Sequence, residues 1–252
     1  MVSAIIKKAK ALLQRLIAIM IFLLIWEIAV RTGMTYPASI PPVSRVFNDL
    51  MDIAISGVLL KHTAISLQRV FSGYAIAVVI AIPLGFLIGW FKTWERYLDP
   101  LLQTLRQIPL LALFPVFILL FGIGELPKTL LIMLAAMWWI LLSTISAVQN
   151  VDPFLVKTAR SMGMSHLDMF RKVVLPSAVP PIFSGLRYAS TEVILVLIAV
   201  EMLGANAGLG ILLHRQMWPV ILFMTILGVI ANYSLVAIEK RLSRWKEDIS
   251  MG

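Results

Sequence analysis

Residues 74–87, YAIAVVIAIPLGFL, and residues 129–142, TLLIMLAAMWWILL, decide the fold class. Each runs fourteen positions without a charged side chain, and neither alternates apolar with polar residues as a barrel strand must. A bilayer core takes about 20 apolar residues as a helix. Working outward from these two stretches to the nearest loop-forming residues gives spans at 65–91 and 126–148. The same ruler finds four more, at 12–30, 98–121, 180–203 and 218–238. Lipid offers no partner for a free backbone N–H or C=O, so six such spans imply an all-α integral membrane protein.

Composition supports that reading. The chain has 252 residues, 60% hydrophobic and only 14% charged, with a mean hydropathy of +0.92. A soluble domain has about 45–50% apolar and about 25% charged residues. One transmembrane domain covering 1–252 is expected, with a first span at 12–30 and a five-span core over 65–238. The formal net charge is +9, yet no basic stretch is interleaved with stacking aromatics, so nucleic acid is not an expected partner. Cysteine is absent, which excludes disulfides and thiolate metal sites.

The first thirty residues resemble a signal peptide, since Lys7, Lys8, Lys10 and Arg15 precede an apolar run. No small-x-small cleavage pattern follows Val30, and an uncleaved first span is the expectation. The remaining Lys and Arg set the orientation. With the N-terminus inside, Lys7, Lys8, Lys10, Arg15, Lys92, Arg96, Lys157, Arg160, Arg171, Lys172, Lys240, Arg241, Arg244 and Lys246 are cytoplasmic. Only Arg31, Arg45, Lys61, Lys128 and Arg215 lie outside, so both termini are expected in the cytoplasm.

Two segments do not span. The first is 32–63, which contains Pro37, Pro41 and Pro42 and, over 40–60, a periplasmic amphipathic segment. There Val43, Val46, Phe47, Leu50, Ile53 and Ala54 recur at helical spacing, which predicts an amphipathic helix at the outer surface. It serves either packing between spans 1 and 2 or a substrate role. Residues 149–179 form the longest inner loop. Asp152-Pro153 suits a helix start, Gly163 interrupts, and Ser165 with Asp168 can cap a second helix. Leu175-Pro176 is expected to end that helix, because a residue before Pro disfavours the α region. Two short helices about a glycine hinge, carrying apolar and basic residues, make a candidate docking site for a soluble partner.

This loop carries a family resemblance. The run Lys157, Thr158, Ala159, Arg160, Ser161, Met162, Gly163, with Leu175 twelve and Pro176 thirteen positions after the glycine, resembles the EAA motif of ABC-importer permeases. Beyond the loop, 121–125 (FGIGE), 151–153 (VDP), 201–205 (EMLGA) and 208–210 (GLG) resemble the nitrate/taurine/aliphatic-sulfonate branch, over roughly 40–244. Lys157 stands where the motif has Glu, and Thr158 where it has its first Ala.

The resemblance implies a fold of the type I ABC-importer permease kind. Residues 149–179 would be the cytoplasmic coupling loop, whose coupling helix contacts an ABC ATPase subunit. It also implies a periplasmic or lipid-anchored substrate-binding protein, a homodimeric path through the bacterial inner membrane, and a small anionic solute. Lys157 removes the salt bridge that the motif Glu would make with the ATPase, so an acidic partner residue is expected there instead. No ATP site of this chain's own is expected. Residues 122–128 superficially resemble the phosphate-binding GxxxxGK[ST], but position 127 is Pro and no Gly-Lys dipeptide occurs. ATP, the only cofactor in play, would bind the partner.

Ionisable residues inside spans mark pathways or structural pairs. Glu192 either lines the path or pairs with Arg69 or Arg106. Glu201 either shapes the outer gate or reaches interfacial water. Nine residues separate them, about 180° around an ideal helix, so they cannot face one narrow pore together. Arg69, Arg106 and Arg187 either attract an anion, snorkel, or neutralise Glu192. Pro83, Pro109 and Pro115 are expected to kink helices. Ser72-Gly73, Gly85 and Gly89 predict close helix packing. His62, His166 and His214 lack neighbours at metal-ligand spacing. Two rivals remain open: an ion-gradient-driven secondary transporter, against which the lack of an internal repeat counts, and an intramembrane enzyme, which needs a convergent cluster that the sequence lacks.

Overall fold

The computed structural model describes residues 2–33 and 40–242, with side chains from residue 17 on. Lys7, Lys8, Lys10, Arg15, Pro37, Arg244 and Lys246, used above, lie outside the described side chains.

The described residues are helical throughout, without a strand. The order is α1 (Val2–Arg31), α2 (Val43–Ile55), α3 (Val58–Trp90), α4 (Lys92–Arg106), a 3₁₀ turn (Leu110–Leu113), α5 (Phe114–Phe121), α6 (Glu125–Gln149), α7 (Pro153–Ser161), α8 (His166–Met169), a π turn (Phe170–Val174), α9 (Leu175–Gly204), α10 (Leu209–Arg215) and α11 (Met217–Leu242). Among the described residues three helices, α3, α6 and α11, are each long and apolar enough to cross a membrane. Two bent pairs bring the number to five if each crosses once.

One bent pair corrects an expectation. The span expected at 98–121 is two helices, α4 and Leu110–Phe121, meeting at 81°. The cause is local. Pro109 disfavours the α region at Ile108, and the backbone leaves the helix after the Gln107 cap. Pro83, in contrast, is absorbed inside α3, and Pro115 sits in the first turn of α5.

The core is a layer of three helices with α6 in the middle. Its residues Leu131, Ile132, Ala135, Ala136 and Ile140 are at most 1% exposed. Along α3, Gly73, Ala77, Ala81, Gly85 and Gly89 repeat every four residues on the face turned to α6. A Cβ on Gly85 would lie 2.5 Å from Thr144 Cβ, and one on Gly89 2.9 Å from Val148 Cβ. From the other side, a Cβ on Gly185 of α9 would lie 2.5 Å from Ser143 Cβ. The close packing expected of Gly73, Gly85 and Gly89 is therefore present, and Ala77 and Ala81 extend it. Such contact matters because lipid tails are as apolar as Leu, which leaves dispersion and hydrogen bonds to hold helices together. One such bond crosses the layer: Tyr74 Oη donates to the Leu186 carbonyl over 2.8 Å.

The amphipathic segment is α2. It turns Val46 and Ile53 inward and leaves Phe47, Met51 and Ile55 exposed. Its first turn is held from α1, where Glu27 accepts from the Ser44 N–H at 3.0 Å and from Ser44 Oγ at 2.7 Å.

Candidate functional site

Three places carry the expected functional residues. The first is loop 149–179. Asp152 caps α7 by accepting from the Phe154 N–H at 2.8 Å. Gly163 ends α7 with φ +71°, where only glycine is unstrained. Its N–H reaches the Arg160 carbonyl at 2.9 Å, and the Met164 N–H reaches the Ala159 carbonyl at 3.1 Å. That pair of bonds is a Schellman closure. It explains two motif positions physically, since Gly163 supplies the left-handed turn and Ala159 is buried beneath it. Ser165 then caps α8 through the Asp168 N–H at 3.1 Å. The Ser165 hydroxyl and Lys172 hold the Asp168 carboxyl below its usual range.

Leu175-Pro176 does not end this helix. The chain continues from α8 through the π turn into α9, and the Leu175 N–H bonds the Phe170 carbonyl five residues back. The widened turn lets Pro176 enter α9 at its first positions, where a missing N–H is tolerated. The loop is thus continuous with α9. Phe170 anchors it to α3, its ring 5.3 Å from Phe86 and 5.5 Å from Trp90, edge-on to both. Outward, Phe154, Leu155, Met162 and Leu167 are exposed, as are Lys157, Thr158, Arg160 and Ser161.

The second place is an open-sided cavity of about 1200 Å³. It lies where the α4–α5 break meets α6 and α9, and its walls include Arg106, Gln107, Trp138, Trp139, Ser143, Ser184 and Glu192. Glu192 makes no ion pair among the described residues, so its expected pairing with Arg69 or Arg106 is not found. Arg187, another candidate to neutralise it, pairs with Glu239 of α11 instead.

The third place is the opposite end of α9. Glu201 is fully buried and does not reach water. Arg69 Nη1 donates to Glu201 Oε1 at 2.7 Å, while Arg69 Nε and Nη2 fork onto Glu125 at 2.5 and 2.8 Å. Ser66 Oγ donates to Glu201 Oε1 at 2.7 Å, and the Gly210 N–H donates to Oε2 at 2.8 Å. Lys128 adds a contact to Glu125 at 2.9 Å. A buried carboxylate is tolerable only with this many donors. Glu192 at the cavity and Glu201 in the ion cluster lie on different faces of α9, as their nine-residue separation requires. No group of three or more potential metal-ligating side chains occurs among the described residues.

Known proteins resemble most of the chain. The family model described as "Binding-protein-dependent transport system inner membrane component" matches residues 81–244. A Methanocaldococcus jannaschii protein, provisionally named an ABC transporter permease, is 36% identical over 236 residues, 88% of each chain. The taurine transport system permease protein TauC of Escherichia coli is 29% identical over 242 residues, 91% of this chain and 88% of its own. Among solved structures, a chain of the MetNI methionine ABC transporter in an inward-facing conformation superposes with a TM-score of 0.63 at 20% identity, over 75% of this chain and 98% of its own. That likeness places the fold among type I importer permeases. The chain belongs to the inner-membrane components of binding-protein-dependent transport systems, the permease subunits of ABC importers.

Proposed function

We propose that two copies of this chain line a path through the inner membrane, and that ATP hydrolysis on bound ATPase subunits drives a small solute along it. The observation that carries this reading is loop 149–179. It presents Phe154, Leu155, Met162 and Leu167 to solvent among Lys157, Arg160, Arg171 and Lys172, on a frame fixed by two caps and a Schellman turn. Exposed apolar residues ringed by charge mark a protein partner's seat. Residues Lys157 to Gly163, with Leu175 and Pro176, form the ATPase contact. Lys157 meets an acidic residue of that partner. The loop faces the cytoplasm, as do both termini, and α2 with the Gly204–Leu209 end faces out.

The cavity at the α4–α5 break is one half of the path, and the second copy closes its open side. Isologous pairing of two identical cavities suits a two-fold pore. Arg106 and Glu192 face the solute, while Glu201 belongs to the outer gate. The solute is a small anion such as a sulfonate, taurine or nitrate. The taurine and aliphatic-sulfonate permease relatives support that class. A substrate-binding protein, free in the periplasm or lipid-anchored, delivers it.

The test is co-purification with candidate ATPase subunits. Met162→Asp, at an exposed loop position, should release the ATPase while the permease stays folded and in the membrane. If no ATPase binds the parent chain and the chain alone moves solute on an ion gradient, the secondary-transporter reading replaces this one.

A further inference from the structure

A groove of about 750 Å³ runs along loop 149–179. On one side α7 lines it with Leu155, Thr158 and Met162, at spacings of three and four residues. On the other side stand Lys172 of the π turn and Pro176 at the start of α9. Leu242, the last residue of α11, completes the wall. The apolar members are uncovered: Met162 is 72% exposed and Leu242 56%.

The chain goes on from this rim. Residues 243–252, SRWKEDISMG, lie outside the described residues, and their composition suits the groove. Ten residues reach up to about 33 Å when extended, while the α7 wall from 155 to 162 is only about 10 Å long. Ile238, Leu242, Trp245 and Ile249 recur at spacings of four, three and four. That stripe carries on, past the end of α11, an apolar face that already meets the groove at Leu242. Trp245 brings the largest apolar surface of the segment. Glu247 and Asp248 bring acid to a basic wall. Lys172 can turn to them, since its bond to Asp168 at 3.1 Å stands in water.

We propose that residues 243–252 lie in this groove, with Trp245 seated between α7 and the start of α9, and that an ATPase subunit must displace them to bind. The displacement rests on the permease reading; the docking does not. Thr158, Met162, Leu175 and Pro176 belong both to the groove and to the ATPase contact, so one occupant excludes the other. A permease without its ATPase thereby keeps its exposed apolar residues covered. The apparent affinity for the ATPase falls by the fraction of chains whose groove is open.

The chain has no cysteine, so two substitutions place a defined pair of thiols. In the purified full-length permease in nanodiscs, Thr158→Cys with Lys246→Cys should cross-link through a short bis-maleimide within one chain. Arg160→Cys with Lys246→Cys should cross-link several-fold less, because Arg160 lies about 200° round α7 from Thr158, off the groove. Adding Trp245→Asp should bring the two yields together. Trp245→Asp alone should tighten binding of a purified ATPase subunit several-fold. Equal yields for the two pairs in the parent background overturn the docking. A cross-linked product of two-chain size also overturns it, since the groove then takes a second copy. ATPase binding left unchanged or weakened by Trp245→Asp overturns the displacement. If no ATPase binds the parent chain, the permease reading falls, and the cross-link still decides whether the segment is docked.

Discussion

Phe170 meets Trp90 edge-on, with ring centroids 5.5 Å apart and planes at 89°. One residue belongs to the π turn within the loop, the other to the last turn of α3. Phe86, 5.3 Å from the same ring, completes the clamp. Each aromatic pair is worth about 0.5–1.5 kcal/mol beyond buried area. On the proposed reading, loop motion would reach α3 through Phe170, and α3 is packed on α6 by its small-residue face. Phe170→Ala should leave the exposed contact residues intact and the ATPase bound, yet abolish solute stimulation of ATP hydrolysis. Phe170→Tyr, which keeps the ring, should retain it. Solute-stimulated hydrolysis in proteoliposomes checks this, and stimulation that survives in the alanine variant would sink it.

Gly185 and Ser143 set the contact between α9 and α6. A new Cβ at Gly185 would lie 2.5 Å from Ser143 Cβ and 3.0 Å from the Trp139 carbonyl, neither of which can swing away. Gly185→Ala should cost about 1–3 kcal/mol through overpacking. Gly124→Ala, with open space about it, should cost much less. Thermal unfolding of the two variants in one detergent gives the comparison.

Removing one partner of a buried ion pair is costly, because the other charge is left without compensation. Glu201→Ala would take one of the two carboxylates from Arg69, which keeps its fork onto Glu125, and would leave the Ser66 hydroxyl and the Gly210 N–H without their acceptor. A loss of about 3–5 kcal/mol is expected. Glu201→Gln keeps the shape and one acceptor and should lose less. Arg187 and Glu239, which join α9 to α11, are both partly exposed, and Glu239→Gln should cost under about 1 kcal/mol. Denaturation series on the three variants would rank them in that order.

How much of this was readable beforehand follows from the range of each interaction. The apolar runs and the glycines at 73, 85 and 89 are local patterns, and each came through as helices and close contacts. So did the loop's two caps and its Gly163 turn, which depend on neighbours within five residues. Pro109 was legible as a kink but not as an 81° break, because the size of the bend depends on what packs beneath it. Pro176 failed as a stop signal because a π turn relieved the constraint. The cluster of Arg69, Glu125 and Glu201 was out of reach. Arg69 lies 56 residues from Glu125 and 132 from Glu201, and no single sequence encodes such pairings. The one local signal was the spacing of His62, Ser66 and Arg69 on one helical face.

Arg106 and Glu192 share the cavity wall without an ion-pair partner among the described residues. On the proposed path, neither would be neutralised by an ion-pair partner as a solute passed. At an effective dielectric constant near 20, a unit charge about 10 Å away contributes on the order of 1–2 kcal/mol, about tenfold in an apparent constant. For an anionic solute the signs are opposed. Arg106→Gln should raise the solute concentration needed for half-maximal transport about tenfold, and Glu192→Gln should lower it. For a solute carrying an ammonium group the Glu192 variant should weaken transport instead. Concentration dependence of uptake in proteoliposomes, with the binding protein held saturating and ATPase content matched, separates the two. If neither variant moves the constant, the solute does not pass this cavity and the path lies elsewhere between the helices.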